Sequence, residues 1–308
     1  MKKVPVWKTV ILIVAVWVVI LIATFAWFVT GPKTWVNDMI VHVGEASYIQ
    51  ISGNGGNDWA EDLEVEISVK QDFKEMSGNG TDLFTPVYDI IEAEDGSISP
   101  AITAFEKVTD DRYYFEQLFA FQSDANYNVY LDPVSGVTSK DGFNIEGAIR
   151  VAFFEVDANN NEILKCIWAP NSTVEYSAST NSFVTDGNPQ PAYYYQKSTQ
   201  PVDKATLEAG KSDPNMAMIS AVDPEDPETA LDCGYDAANK FMWSNGEELP
   251  EDAPVMLAFR LAEGQKLAMK KMKIRVWLEG HDNECVSQLL GQQFTMRFKF
   301  TAEKESDK

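Results

Sequence analysis

The sequence predicts an all-β fold, an antiparallel β-sandwich of jelly-roll type preceded by a hydrophobic N-terminal helix. Three observations carry that expectation. Short apolar runs with period-two alternation recur along the chain. Clusters of Gly, Asn and Asp separate them, and helical periodicity is scarce.

The first element is apolar throughout. Val10 to Val29 is twenty uncharged residues, with Thr24 the only polar side chain. A helix of roughly 20 residues crosses about 30 Å of hydrocarbon. Lys2, Lys3 and Lys8 precede it and only Lys33 lies close behind it. The positive-inside bias therefore keeps the short N-terminus in the cytoplasm and exports the chain beyond residue 30. A secretory apolar region is shorter, about 7–15 residues. Yet Thr24-Phe25-Ala26 ends in a small residue where a signal peptidase would cut. Cleaved signal and retained anchor both remain open. Residues 1–30 are thus expected as signal or transmembrane anchor, residues 31–301 as an extracellular sandwich domain, and 302–308 as a charged, frayed tail.

Strand signals come next along the chain. Met39–Val43 and Tyr48–Ser52 are short runs with β-branched residues, and Asn54-Gly-Gly-Asn57 is turn chemistry. Leu63–Val69 alternates strictly, with Leu63, Val65 and Ile67 on one side and Glu64 and Glu66 on the other. Pro100–Phe121 carries a partial helical pattern, but its end reads equally as a strand. Gly147–Val156 and Ile163–Trp168 flank Asp157–Asn161 and predict a hairpin. Residues 179–249 lack periodicity and hold Pro189, Pro191, Pro201, Pro214, Pro224 and Pro227. They are expected to form an irregular surface insertion. Val255–Leu261, Met272–Leu278 and Phe294–Thr301 predict three closing strands. Leu63, Val65, Ile67, Phe294, Phe298 and Phe300 are expected in one shared core.

The charge balance is 47 acidic against 25 basic residues, a net −22, and four of the lysines lie in the first 33 residues. Such a surface repels nucleic acid and anionic lipid. An exported chain is permitted disulfides. Of Cys166, Cys233 and Cys285, we expect Cys233 and Cys285 to pair, tying the insertion to the framework. Closing that loop of roughly 50 residues would stabilise by about 4 kcal/mol in the chain-entropy picture.

Catalytic chemistry finds little support. The two histidines, His42 and His281, are far apart and lack HExxH spacing. No G-x-S-x-G presents a serine, and Gly53–Gly56 lacks phosphate-loop spacing. Glu279, His281, Asp282, Glu284 and Cys285 form a metal-like cluster, yet a turn between strands is naturally rich in such residues. Asn54, Asn57, Asp58 and Glu61 offer oxygens in one loop, as do Asp157, Asn159 and Asn161. The latter lacks the Gly and bidentate Glu of an EF-hand loop, so a plain turn is expected. Asn79-Gly-Thr81 and Asn171-Ser-Thr173 are glycosylation sequons that arise readily by chance. We expect no enzyme, no cofactor and no metal site.

The two ends of the chain carry a resemblance. Thr24-Phe-Ala-Trp-Phe28 closes the apolar segment and MIVHV comes soon after it; Tyr48-Ile-Gln-Ile-Ser52 precedes a Gly/Asn turn and Trp59. Ile274–Cys285 and Phe294–Phe300 close the chain. These stretches resemble the SipW-dependent TasA/camelysin class of Gram-positive surface proteins. The resemblance implies a jelly-roll subunit of an extracellular fibre or biofilm matrix, self-associating or meeting other cell-surface proteins. It implies cleavage between Ala26 and Trp27. The freed strand Trp27–Val36 would complete a neighbour's sheet, with Trp27, Phe28 and Trp35 supplying the burial. Gly31-Pro32 interrupts that strand, and Pro cannot donate to a central ladder. Uncleaved, the same aromatics would rest at the membrane interface. No protease motif is present, so no protease activity is implied. The alternative is a membrane-anchored ligand- or carbohydrate-binding module, using aromatics such as Tyr193-Tyr-Tyr195.

Overall fold

The computed structural model of the chain describes residues 35–43, 49–66, 73–92, 98–109, 111–139, 145–170, 174–177, 182–185, 192–196, 200–203, 229–232, 235–243, 246–280, 282, 285, 289 and 292–304. The apolar segment 10–29 therefore lies outside the described residues. None of the described helices is long and apolar enough to cross a membrane.

The protein is all-β. Its one described α-helix, α1, is the single turn Ile145–Ala148. A six-stranded sheet holds β1 (Trp35–Val43), β3 (Asp62–Glu66), β8 (Tyr127–Leu131), β9 (Gly136–Ser139), β18 (Leu257–Ala258) and β20 (Gln293–Lys304). A ten-stranded sheet holds β2 (Ile49–Ser52), β4 (Glu75–Gly78), β5 (Leu83–Glu92), β6 (Ile98–Lys107), β7 (Phe115–Ser123), β10 (Ile149–Val156), β11 (Glu162–Ala169), β14 (Ala192–Gln196), β17 (Tyr235–Met242) and β19 (Ala268–Glu279). Two small hairpins stand apart: β12 (Val174–Ser177) with β13 (Ser182–Thr185), and β15 (Gln200–Asp203) with β16 (Thr229–Asp232).

The alternation of β20 explains its place. Phe294, Met296, Phe298 and Phe300 are fully buried while Arg297 is exposed. The buried row meets the large sheet edge to face: Phe300 with Phe121 at 5.4 Å, Phe298 with Phe153 at 5.7 Å and with Trp168 at 5.9 Å. The two sheets therefore pack face to face around one apolar seam. Each buried aromatic contributes about 1.5–3 kcal/mol by area, and each edge-to-face pair about 0.5–1.5 kcal/mol more. Leu63 packs against this seam partly buried, beside Phe294, Phe298 and Phe300. The side chain of Val65, and Ile67 as a whole, lie outside the described residues.

The pairing differs from the expected all-antiparallel pattern in two places. β1 runs parallel to β20, and β19 runs parallel to β4. The first pairing joins the two ends of the domain, and no local pattern specifies such a direction. The expected irregular insertion also differs. Its β14 and β17 extend the large sheet beyond β11, because Tyr193 and Phe241 bury their rings against each other at 5.8 Å. The helix considered within Pro100–Phe121 is instead β6, a short 3₁₀ turn and β7. β18 keeps only two residues of the predicted Val255–Leu261 strand. The tail begins later than expected, since β20 pairs with β8 through Lys304.

A second apolar cluster covers the outer face of the large sheet. Met76 and Leu83 pack there on Ala152, Phe154, Ile167 and Trp277. The turn Gly78-Asn79-Gly80 makes that contact possible. A Cβ on Gly78 would stand 1.9 Å from the Asp82 carbonyl oxygen. Gly80 adopts a positive φ of 82° and lies against Ala152, where a Cβ would come within 2.9 Å.

Candidate functional site

Of the residues expected to drive assembly, Trp27 and Phe28 lie outside the described residues. Trp35 opens β1 opposite Gln293. After a bulge between Val36 and Asp38, β1 runs in register with β20: Met39 opposite Met296, Val41 opposite Phe298, Val43 opposite Phe300. On its other side it pairs with β3, Met39 opposite Val65 and Val41 opposite Leu63. Val36, Met39, Val41 and Val43 are all buried. The first strand thus fills a slot between β20 and β3, with ladder partners on both sides and one apolar row pointing into the seam. His42 sits between Lys299 and Asp62 in the same ladders, half-buried on the opposite face.

A buried polar cluster caps the far end of β19. Arg150 interrupts the apolar run of β10 and is wholly buried. Its Nη1 donates to the carbonyls of Gly147 at 2.7 Å and Ile149 at 2.9 Å, and its Nη2 donates to the Asp282 carboxylate. Both side chains of this ion pair are 0% exposed. Trp277 Nε1 donates to buried Glu279 at 3.1 Å. Gly280 N–H donates to Met76 O at 2.7 Å, tying the turn to β4. Tyr88 donates its hydroxyl to Glu75, whose carboxyl burial pushes above its usual range.

Cys285 lies beside these acids. Burial and the carboxylates of Glu75, Asp282 and Glu279 push its thiol well above its ordinary value. It is held protonated, which is the opposite of what a nucleophilic cysteine needs. Cys166 is also buried and pushed up by burial, with its Sγ 3.7 Å from Met256 Sδ. Both are free thiols. The expected Cys233–Cys285 pair involves Cys233, which lies outside the described residues, as does His281. Among the described residues, no group of three His, Cys, Asp or Glu is placed to hold a metal ion.

The outer face of the large sheet carries an ion ladder. Arg275 bridges Glu116 at 2.6 Å and Glu162 at 3.2 Å, and Lys273 bridges the same two acids at 2.8 and 2.6 Å. The Arg275 guanidinium also stacks over Phe154 and donates to Gly80 O at 2.6 Å. Burial raises Glu162, but the hydrogen bond from Lys273 and the charge of Arg275 outweigh it and hold the carboxyl below its usual value.

The loops singled out in the sequence satisfy themselves. Asn54 Nδ2 donates to Asp58 at 2.6 Å, and the Asn54 Oδ1 accepts from the Asn57 and Asp58 amides. Asp157 accepts from the Asn159 and Asn161 amides, both at 2.8 Å, and Asn160 turns the hairpin at φ 63°. Asn79 of the first sequon is 1% exposed and its Oδ1 accepts from Thr81 and Asp82. Its side chain is thereby used by the fold. Tyr193 of the tyrosine run is 1% exposed and donates to Leu131 O at 3.4 Å, so its face is not offered to a sugar. A shallow hollow of about 450 Å³ on the outer face of the small sheet is lined by Ile40, Val134, Thr138, Thr295 and Arg297. Its one charged side chain supplies no acid–base pair.

Sequence reasoning missed Arg150 and Glu75. A lone arginine within an otherwise apolar strand, GAIRVAFFEV, was the available signal for the first. Glu75 had none, since its burial comes from the β4–β19 contact. Comparisons with protein-family models, with curated proteins and with solved structures find no match to this chain.

Proposed function

We propose that this chain is an extracellular structural protein, a surface-displayed or fibre-forming subunit of the biofilm-matrix type, and not an enzyme. The observation that carries the reading is β1. It begins a few residues after the apolar segment, fills an interior slot and pairs along its length with the last strand. A slot built for an N-terminal strand is the acceptor that strand exchange between copies requires. The outer surface, with its self-satisfied loops and paired charges, supports a scaffold role. The jelly-roll description belongs to the same proposal. The facing sheets support it, and the parallel β1–β20 pair departs from its all-antiparallel form.

N-terminal sequencing of the exported protein separates the two fates of the leader. A start at Trp27 is expected for the fibre subunit, and an intact leader makes it an anchored domain. Deletion of residues 27–36 from the mature protein should abolish filaments in electron micrographs. Filaments that persist would rule out exchange through residues 27–36.

A further inference from the structure

One face of the β5–β6 ribbon carries exposed apolar side chains among the described residues, with the Tyr88 hydroxyl held by Glu75 of β4. The strands pair over nine positions. Only Leu83 and Phe84 of β5 pair with β4, and β6 is the end of the sheet order. Directly opposed residues share a face of a ladder. One face begins at Leu83, which is buried against Met76 and Trp277. The other places Phe84, Pro86, Tyr88 and Ile90 on β5. Opposite them the register sets Phe105, Ile102, Pro100 and, at the tip, Ile98 on β6. Tyr88, Ile90 and Ile98 are 52%, 56% and 69% exposed.

Among the described side chains, Tyr88, Ile90 and Ile98 form an exposed apolar patch on this face, of the kind that marks an interaction site. The two charges on this face sit at opposite ends. Glu92 is at the tip, opposite Ile98, and Lys107 is at the base, opposite Phe84, where it also bridges Asp82 at 2.5 Å. That arrangement is self-complementary when two copies lie antiparallel. Apolar residues meet apolar residues, and Glu92 of each copy lies over Lys107 of the other. A two-fold contact of this kind is isologous. An isolated two-stranded ribbon is only marginally stable in water.

We infer that the β5–β6 ribbon is a homodimerisation arm, packing antiparallel on the ribbon of a second copy through Tyr88, Ile90 and Ile98 with Glu92–Lys107 pairs at both ends. The contact is independent of strand exchange at β1. The test uses the full chain in non-ionic detergent micelles, mixed from ¹⁴N and ¹⁵N copies. Sedimentation should show a dimer that dissociates on dilution. Carbodiimide should join Glu92 to Lys107 between light and heavy copies. Ile90→Arg with Ile98→Arg should weaken the dimer by on the order of 100-fold or more and remove the cross-link. Both side chains are exposed, so the circular dichroism spectrum should not change. Monomer at every concentration would overturn the inference. So would a dimer that survives the double substitution, or vesicle binding by a monomer that the substitutions abolish. Filaments that persist in the double variant leave strand exchange at β1 standing, so the two proposals fail separately.

Discussion

The two faces of the ten-stranded sheet are stabilised by different physics. The inner face meets the small sheet through apolar side chains, with Phe121, Phe153 and Trp168 edge to face against Phe298 and Phe300. The outer face holds an apolar cluster that ends in charges, with Arg150–Asp282 wholly buried and the Arg275–Glu116–Glu162 ladder half-covered. Contacts on the first face are non-directional and tolerate volume-conserving change. Those on the second depend on each charge keeping its partner. The difference teaches that acidic residues of this chain supply structural pairing as well as surface charge.

Breaking the buried pair should have the largest effect. Arg150→Met leaves Asp282 buried without its partner and should destabilise by about 3–5 kcal/mol, read as a lowered urea midpoint. Arg150→Met with Asp282→Leu should recover most of that loss. On the inner face, Phe298→Ala should cost a similar about 3–5 kcal/mol through its cavity. No second substitution of a charge rescues it, and Phe298→Leu should lose much less. If the double variant on the outer face stays as unstable as the single one, the contrast between the faces is wrong.

A smaller effect is expected at the turn that lays β4 and β5 on the outer face. Gly78→Ala drives a methyl into the Asp82 carbonyl and should cost about 1–3 kcal/mol. Thermal unfolding would show it directly.

The pH dependence sharpens the comparison most finely. Burial raises Glu155, but hydrogen bonds from Lys270 and Lys165 outweigh it, so its carboxyl sits below the usual 4.5. Glu162 behaves alike. A depressed carboxylate stabilises the fold above its unfolded value, and that contribution is lost as pH falls through the folded value. Glu75 has the opposite sign, since burial raises it above 4.5. Its protonated form is favoured in the fold, so stability falls as pH rises through the interval above 4.5. Glu75→Gln should therefore raise the urea midpoint at neutral pH and have little effect at pH near 4. Glu162→Gln should lower the midpoint at neutral pH. Equal responses from the two variants would sink this assignment.

Much of the sandwich was legible in the sequence because alternation is local. Phe294, Met296, Phe298 and Phe300 announce the inward row of β20, and Asp157–Asn161 announces its hairpin. The features that escaped depend on residues far apart along the chain. The parallel joining of β1 to β20 is set by the fold of everything between them. Arg150 and Asp282 are 132 positions apart, and neither alone predicts the other. The aromatics of β14 and β17 read as insertion because Pro189 and Pro191 stand beside them and masked the pairing of Tyr193 with Phe241. Val255–Leu261 reads as a strand, yet only Leu257–Ala258 keeps ladder geometry. Met256 and Phe259 instead bury their side chains from backbone that bonds singly to Val129 and Tyr127.

The parallel pair also decides how the domain responds to tension. In β1 and β20 the chain runs the same way, so Trp35 and Lys304 lie at opposite ends of one two-strand unit. With about 3.3 Å per residue, the span of β20 is on the order of 35–40 Å. A pull that separates these two points slides β1 along β20. Their eight register pairs are then loaded together as shear, not opened one at a time as in a zipper. The strand that enters the domain and the strand that leaves it form a mechanical clamp, with the rings of Phe298 and Phe300 as its backing.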